Sequence, residues 1–475
     1  MLTDLKWLDV GQPFPPPCTR NRLQRYKENR ALFEDKHDIV YEEQFKRIER
    51  VIGNFSSVVS YATIVNYQKL ISVKTADLVF GENPNITVTD DDKQTVIDNI
   101  IMNTELFDKL YMSVIDFSRY GDTVVMLTPD CDIDVVSPAL WFPVVDEINI
   151  RKFKYHIFGF IYLIDSKSET YGLRVQIHDP KNPTECEERN YRLSGKAMPE
   201  FKIAKDLTKK KEMKLQTHLD TCPVYRISNL LTSDRLFGLD DYRSVDSLIS
   251  ELVVRVSQIS KVLDKFAQPS MTGPQSALQI DEVTGQWVLK MGDYFPRNSE
   301  TDPKPEYLTW DAGMEANFKQ IELIINQLYT ISEMGSALLG DLSNKTGDVP
   351  SGSALRRLMM SPLAKARRVA NRYDTPLKKL LSTLAKMQGT DIEPTEITVK
   401  WNDGLPPDPV EDAETASIRT GGKPTLSQYT SIQRLDNMSA SDVDAELKMI
   451  RADTLESTAG SVPPLEPEEI QEDEF

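Results

Sequence analysis

From Tyr242 onward the chain places apolar residues at Val245, Ile249, Leu252, Val256, Ile259, Leu263 and Phe266, a spacing of threes and fours with no Gly or Pro inside it. The spacing predicts a helix over residues 242–266 that packs along its whole length. A second seam, through Phe318, Ile321, Ile325, Leu328, Ile331 and Leu338, follows after a stretch rich in Gly and Pro. Two long helices are therefore expected to flank one compact excursion. Pro269 stops the first helix, and residues 286–295 and 306–310 have the composition of strands, so the excursion reads as a small α/β or β-hairpin knob.

Upstream, residues 12–17 form a Pro-rich arm expected to be extended, and the charged helical stretch 21–33 suits a solvent or partner surface. A helical pattern over residues 55–80 runs into Gly81 and Pro84. Asp90, Asp91 and Asp92 can then cap a further helix reaching Tyr120 before Gly121. Five strand-like runs follow, at residues 123–128, 133–136, 155–164, 171–178 and 188–193, separated by Pro, Gly, Asn and Asp. They predict a mostly antiparallel sheet. After the second seam comes a polar loop, residues 340–352, and then a helical pattern over residues 353–387. Pro362 and Pro376 interrupt that pattern and should kink it, because an interior proline removes a backbone donor. The fold class expected is α+β, in several subdomains.

Charge narrows the partners. With 56 Lys and Arg against 73 Asp and Glu, the chain of 475 residues carries a net charge of -17. That argues against a DNA-coating protein, which needs a basic surface to neutralise phosphates. Residues 403–475 hold seventeen acids and five bases, and residues 463–475 are expected to be disordered. The longest apolar stretch, residues 157–164, is too short for a bilayer, and Asp4 and Asp9 stand where a signal peptide would be basic and apolar. No membrane anchor and a cytosolic origin are expected. Cys18, Cys131, Cys186 and Cys222 lie far apart and read as free thiols.

No catalytic constellation emerges. Gly421-Gly422-Lys423 is followed by Pro424, where a phosphate-binding loop needs Ser or Thr for its magnesium ion. Lys345-Thr346-Gly347 lacks the nucleophile motif that accompanies it in penicillin-interacting enzymes. His37, His156, His178 and His218 show no ligand spacing, so ordinary surface or hydrogen-bonded histidines are expected, with no metal and no cofactor. The one locally basic stretch, residues 356–379, holds Arg356, Arg357, Lys365, Arg367, Arg368, Arg372, Lys378 and Lys379 against Asp374. It reads as a solvated or intersubunit helix face in preference to a phosphate contact.

Several phrases, taken in order, resemble the portal proteins of tailed bacteriophages, the siphophage group named for the portal of the Bacillus phage SPP1. They are Ala76-Asp77-Leu78-Val79-Phe80-Gly81-Glu82, then Ile331-Ser332-Glu333-Met334 leading to Leu338-Leu339-Gly340, then Ser351-Gly352-Ser353-Ala354-Leu355. The phrase from Trp401 through Leu405-Pro406-Pro407-Asp408 to Glu411 is similar as well.

The resemblance implies a wing over residues 1–231, stem helices at 232–268 and 313–339, and a clip at 269–312. It also implies a tunnel loop at 340–352, a long kinked helix and wing return at 353–402, and a crown with an acidic tail at 403–475. The tunnel loop would turn Asp341, Ser343, Asn344, Lys345, Thr346, Gly347 and Asp348 toward DNA. The family's subunit is no enzyme. It forms a dodecameric ring at one capsid vertex, passes double-stranded DNA, and meets the terminase large subunit, head-completion or adaptor proteins, and the major capsid and scaffolding proteins. The rival reading from the seams alone is a cytosolic helical scaffold that oligomerises and never meets DNA.

Overall fold

A computed structural model describes residues 1–459 except 47–49, 52–57, 60–62, 166–168, 196, 209–213, 218, 268–270, 273–277, 281–286, 290–305, 308–313, 339–355, 403–408, 422–423, 436–437 and 439. The described residues fall into two compact units. The first draws on Met1–Asp348 and Arg357–Gly404, the second on Val349–Arg356 and Leu405–Phe475.

The first unit opens with helices. The α1 helix (Arg20–Phe33) is followed by two short turns, α2 (His37–Val40) and α3 (Glu42–Lys46), and by an antiparallel strand pair, β1 (Arg50–Val51) with β2 (Val58–Val59). Of that pair, β2 stands where the sequence pattern had placed the start of a helix. Helix α4 (Tyr67–Phe80) begins only at the Asn66 cap, whose side chain accepts from the Lys69 amide at 2.8 Å. After β3 (Asn85–Thr87), Asp90 caps α5 (Asp91–Asn103) as expected, accepting from the Lys93 amide, while Asp91 and Asp92 sit at the positive end of the helix dipole. The expected single helix to Tyr120 is two. The Thr104 hydroxyl donates to the Ile100 carbonyl, Glu105 turns left-handed at φ 49, and α6 (Leu106–Tyr120) starts anew. Helix α6 ends at Gly121, φ +82, where a Cβ would lie 2.5 Å from the Gly238 carbonyl oxygen.

The sheets follow. Strand β4 (Asp122–Leu127) pairs with β5 (Ile133–Val136), and then come β6 (Val144–Val145), β7 (Phe153–Asp165), β8 (Thr170–His178), β9 (Glu185–Ser194), β10 (Lys202–Asp206), β11 (Lys214–Gln216) and β12 (Val224–Ser228). The larger sheet runs β10-β9-β8-β7-β6, with β11 also on β9, and the smaller runs β12-β4-β5; every pairing is antiparallel. All five expected strands are present. Alternation sorts their side chains. Ile157, Leu173, Val175, Ile177, Tyr191 and Leu193 form one core, and Phe158 on the opposite face joins Trp141, Val124 and Val136 in another.

The Pro-rich arm is not a free extension. Phe14, 2% exposed, enters the first of those cores, and its amide donates to the Phe201 carbonyl at 2.8 Å, while the Ile203 amide donates to the Gln12 carbonyl at 2.9 Å. Arm residues thus satisfy backbone groups beside β10 that an uncovered edge would leave open. The charged helix is likewise no simple solvent face, since Tyr26, Asn29 and Leu32 are buried.

Beyond β12 the chain enters α7 (Asp246–Ala267), then two short antiparallel pairs, β13 (Met271–Thr272) with β16 (Glu306–Tyr307) and β14 (Leu278–Ile280) with β15 (Trp287–Leu289). Among the described residues the excursion is thus the β-hairpin form of the expected knob. Helix α8 (Met314–Ile331) and the short α9 (Gly335–Leu338) follow, then α10 (Met360–Met387). Pro362 falls in the first turn of α10, where its missing N–H has no intrahelical partner, so only Pro376 lies inside the helix. Strand β17 (Thr398–Lys400) returns to pair with β3, Val399 opposite Ile86. The second unit contains α11 (Pro409–Thr420), α12 (Gln428–Leu435) and α13 (Ala440–Ala459), with Val443 and Ser431 buried among them. Residues 463–475 lie outside the described residues. The structure is therefore α+β.

Candidate functional site

Helices α7 and α8 pack on each other and are rooted in the first unit. Tyr242 and Val245 precede α7 instead of forming part of it: the Val245 and Asp246 amides both donate to the Tyr242 carbonyl at 2.9 Å. Both side chains are nonetheless fully buried, and with Ile249, Val253 and Val254 they pack against Leu32, Ile71, Leu328 and Met334. Leu252 is buried too. Farther along, Val256 and Ile259 are half-buried and Leu263 is 53% exposed; the side chain of Phe266 lies outside the described residues.

The second seam is shifted in phase from the expected one. Ile324 and Leu328 are the buried positions of α8, whereas Phe318, at 53%, and Ile331, at 42%, are exposed. The helix ends at Ile331, and Glu333 takes a left-handed φ of 60, so Leu338 belongs to the separate turn α9.

Below this pair sits a polar junction that sequence reasoning missed. Lys365, on α10, is 4% exposed; its Nζ lies 3.2 Å from Asp241 Oδ2 and donates to the Ser332 carbonyl at 3.3 Å. Asp241 also accepts from the Ser118 hydroxyl at 2.7 Å and the Asn229 amide at 2.9 Å. Ser118 in turn accepts from Ser72, whose hydroxyl meets Tyr242 Oη at 2.8 Å. One buried chain of bonds thus joins α4, α6 and α10 to the entry of α7 and the exit of α8. Full satisfaction matters here, because a buried charge left alone costs several kcal/mol. Arg368 adds an ion pair to Glu333 at the exposed rim.

A second brace fixes the start of α7. Arg25 reaches Asp240 at 2.8 Å and Asp246 at 2.7 Å, and Tyr41 donates to Asp246 at 3.3 Å. Burial pushes the Asp246 carboxyl up, with Arg25 opposing. Burial works against the Arg25 charge, yet Asp240 and Asp246 together raise its pKa. The smaller sheet holds a comparable pair: Asp122, fully buried, accepts from Arg226, from Ser228 Oγ at 2.6 Å and from the Gly238 amide at 2.9 Å. Burial raises its pKa, with Arg226 opposing.

The expected DNA-facing residues Asp341, Ser343, Asn344, Lys345, Thr346, Gly347 and Asp348 lie outside the described residues. In the basic stretch, Arg357, Arg367, Arg372 and Lys379 are exposed as expected, but Lys365 is buried and Lys378 pairs with Asp374 at 2.9 Å. A signal for Lys365 existed. It stands four residues before Val369 and eight before Tyr373, on the apolar stripe of α10.

The three described histidines are not on the surface, and His218 lies outside the described residues. His37, His156 and His178 are buried, and His156 and His178 face each other across β7 and β8. His156 Nδ1 accepts from the Trp141 indole at 3.3 Å. Burial, the opposing His178 and Arg226 hold His156 at about 3, and burial alone holds His178 at about 4. All four cysteines are free. Among the described residues no group of three or more His, Cys, Asp or Glu could hold a metal ion, and no helix is long and apolar enough to cross a membrane.

The class this defines is an α+β protein whose distinctive part is a long helical pair anchored through buried polar contacts. The family model for phage portal protein, SPP1 Gp6-like, matches residues 17–458, and the chain belongs to that family. No curated protein matches it. Among solved structures it is similar to a chain in the virion of a native gene transfer agent particle, at 14% identity and a TM-score of 0.43, covering 78% of this chain and 88% of that one. A chain in the neck of the empty particle, computed with C6 symmetry, matches at 13% identity and 0.43 over 78% and 88%. One in the neck of the native particle, computed with C12 symmetry, matches at 13% and 0.37 over 77% and 87%.

Proposed function

We propose that this portal protein forms a dodecameric ring at one capsid vertex and is the channel through which double-stranded DNA enters during terminase-driven packaging and leaves at ejection. Membership of the portal family over nearly the whole chain carries this reading. The α7–α8 pair supports it: Leu263, Phe318 and Leu323 leave apolar surface open on helices rooted in the subunit core through Ile249, Val253 and Leu328, and ring neighbours would cover such a stripe. A net charge of -17 makes the chain weakly adhesive to DNA phosphates, which favours passage over retention. The subunit is then a conduit with no catalytic role of its own, assembled in the host cytoplasm and carried in the virion.

In this reading residues 1–231 are the wing, 232–268 and 313–339 the stem, and 269–312 the clip that meets the terminase large subunit and later head-completion or adaptor proteins. Residues 340–352 are the tunnel loop, 353–402 the long helix and wing return, and 403–475 the crown; the wing would meet the major capsid and scaffolding proteins. Electron microscopy of the purified full-length protein is expected to show closed rings of about a dozen subunits with a central hole. A monomer or an open filament would overturn the reading. Deleting residues 344–348 is expected to leave capsids intact while reducing the length or retention of packaged DNA, and full-length, stably held genomes would remove the tunnel-loop assignment. Scrambling residues 275–281 is expected to spare the ring and impair packaging or tail joining, because loops on rigid supports carry partner contacts.

A further inference from the structure

The first turn of α1 opens on a cleft of about 400 Å3 that the portal function does not use. Arg22, Arg25, Arg235 and Arg243 line it, against Asp234 and Asp240. Arg25 and Asp240 neutralise each other at 2.8 Å, and Asp234 accepts from Thr232 in the exposed rim. Among the described residues the other three guanidiniums make no ion pair, although Arg235, after the Thr232 hydroxyl, helps to lower the Asp234 pKa. Arg22 is held in place by the Pro138 carbonyl at 3.2 Å and the Trp141 carbonyl at 2.9 Å, and lies 4.2 Å from the Phe237 ring centroid, but its Nε makes no hydrogen bond. Arg235 Nε is likewise buried and unbonded, and the exposed Arg243 side chain makes no ion pair. In a chain of net charge -17 this is a local excess of the opposite sign.

Two independent features converge on the same space. Helix α1, 14 residues long, has no acid in its first turn and no side-chain cap, since the Thr19 hydroxyl donates to the Pro16 carbonyl instead. The Pro17–Thr19 turn runs straight into it and the Thr19 and Arg20 amides donate to the Pro16 and Pro17 carbonyls, so what the cleft meets is the positive end of a helix dipole that no first-turn carboxylate offsets. Tyr26, 5% exposed, lines the cleft with a buried hydroxyl beside Arg22 that makes no hydrogen bond of proper geometry. A buried donor without an acceptor is costly unless something supplies one.

We propose that this cleft binds the phosphate group of a small phosphorylated ligand of about nucleotide size. Several guanidinium forks beside the positive end of a helix dipole match the several oxygens of a phosphate better than the two of a carboxylate, and Tyr26 and Phe237 give the remainder of the ligand an aromatic wall. The volume is in the range of small-ligand pockets, about 300–1,000 Å3.

Isothermal titration calorimetry of the full-length protein with inorganic phosphate, AMP and adenosine tests it. Phosphate and AMP are expected to bind saturably and more weakly as salt rises, and adenosine not at all. The double variant R235A/R243A, which breaks no ion pair in the structure, is expected to bind AMP at least about tenfold more weakly. Tyr26→Phe, which keeps the ring and removes only the donor, is expected to weaken binding several-fold. Circular dichroism and unanchored melting without ligand check that both variants are folded. Absence of saturable binding by the wild type, or equal affinity in the folded R235A/R243A variant, would overturn the proposal. Binding of a short single-stranded oligonucleotide without binding of AMP or phosphate would overturn it as well, by moving recognition from one phosphate to a strand.

Discussion

The two halves of the first seam, from Tyr242 into α7, carry the same apolar repeat and meet opposite fates. From Tyr242 to Val254 every seam residue is buried, Tyr242, Val245 and Ile249 against α1, α4 and α8; from Val256 onward the described seam residues are half-buried and then, at Leu263, more than half exposed. One periodicity therefore serves two purposes. Near the junction it builds the core of a single subunit, and farther out it offers apolar surface that the subunit does not cover. Heptad-like spacing alone cannot separate intramolecular from intermolecular packing.

The contrast is broken most severely at its buried end. Leu252→Asp places a carboxylate at a position 1% exposed, and is expected to cost about 5 kcal/mol and abolish the folded subunit, read as loss of the urea unfolding transition. Ile259→Asp, at a half-buried position, is expected to spare the fold and weaken assembly; native mass spectrometry showing an unchanged oligomer would remove Ile259 from the interface.

Acid should act on the sheet region first. His156 and His178 are neutral when folded, and the unfolded chain takes up their protons below an ordinary histidine pKa of about 6.5. Stability is thus complete above that pH and falls as pH drops toward 4 and 3, by about 2 kcal/mol for each ring at about pH 5. Denaturant melts across this window should show the slope, and His156→Gln should flatten it; an unchanged slope would mean the rings are protonated in place.

At the junction, Lys365→Ala is expected to cost about 3 kcal/mol, because Asp241 is left with hydroxyl and amide donors only. Lys365→Met with Asp241→Asn should recover part of that loss in the same melts, as expected for a coupled pair. The smallest effect on folding belongs to the exposed end. Leu263→Ser and Phe318→Ser should shift subunit stability by no more than about 0.5 kcal/mol while lowering the fraction of subunits in rings. Loss of folding in these variants, with assembly unaffected among the folded molecules, would reverse the assignment of the two halves.

The α+β class, the Asp90 cap, the stop at Gly121, the five expected strands and the helical pair around a small β knob were all legible in the chain, because each rests on local rules. Caps and glycine stops act within one turn, and alternation or a three-and-four repeat records which face is apolar. Where the local rule was equivocal the reading slipped. Thr104 and Glu105 interrupt a run that contains neither Gly nor Pro, Pro362 proved harmless at a helix start, and the two- and three-residue strands β1, β2, β6 and β11 carry too few residues to show a period.

Tertiary structure alone decided the rest. Asp241 and Lys365 are 124 positions apart in the chain, and nothing in either neighbourhood announces that they meet between the entry of α7, the exit of α8 and α10. The arginines around the first turn of α1 come from segments more than two hundred residues apart and gather only when the chain folds back on itself. Apolar periodicity states that a face must leave water, since that gain depends on area and not on partner. Which surface covers it, and which buried charge finds its counter-charge, depends on geometry that exists only in the folded molecule.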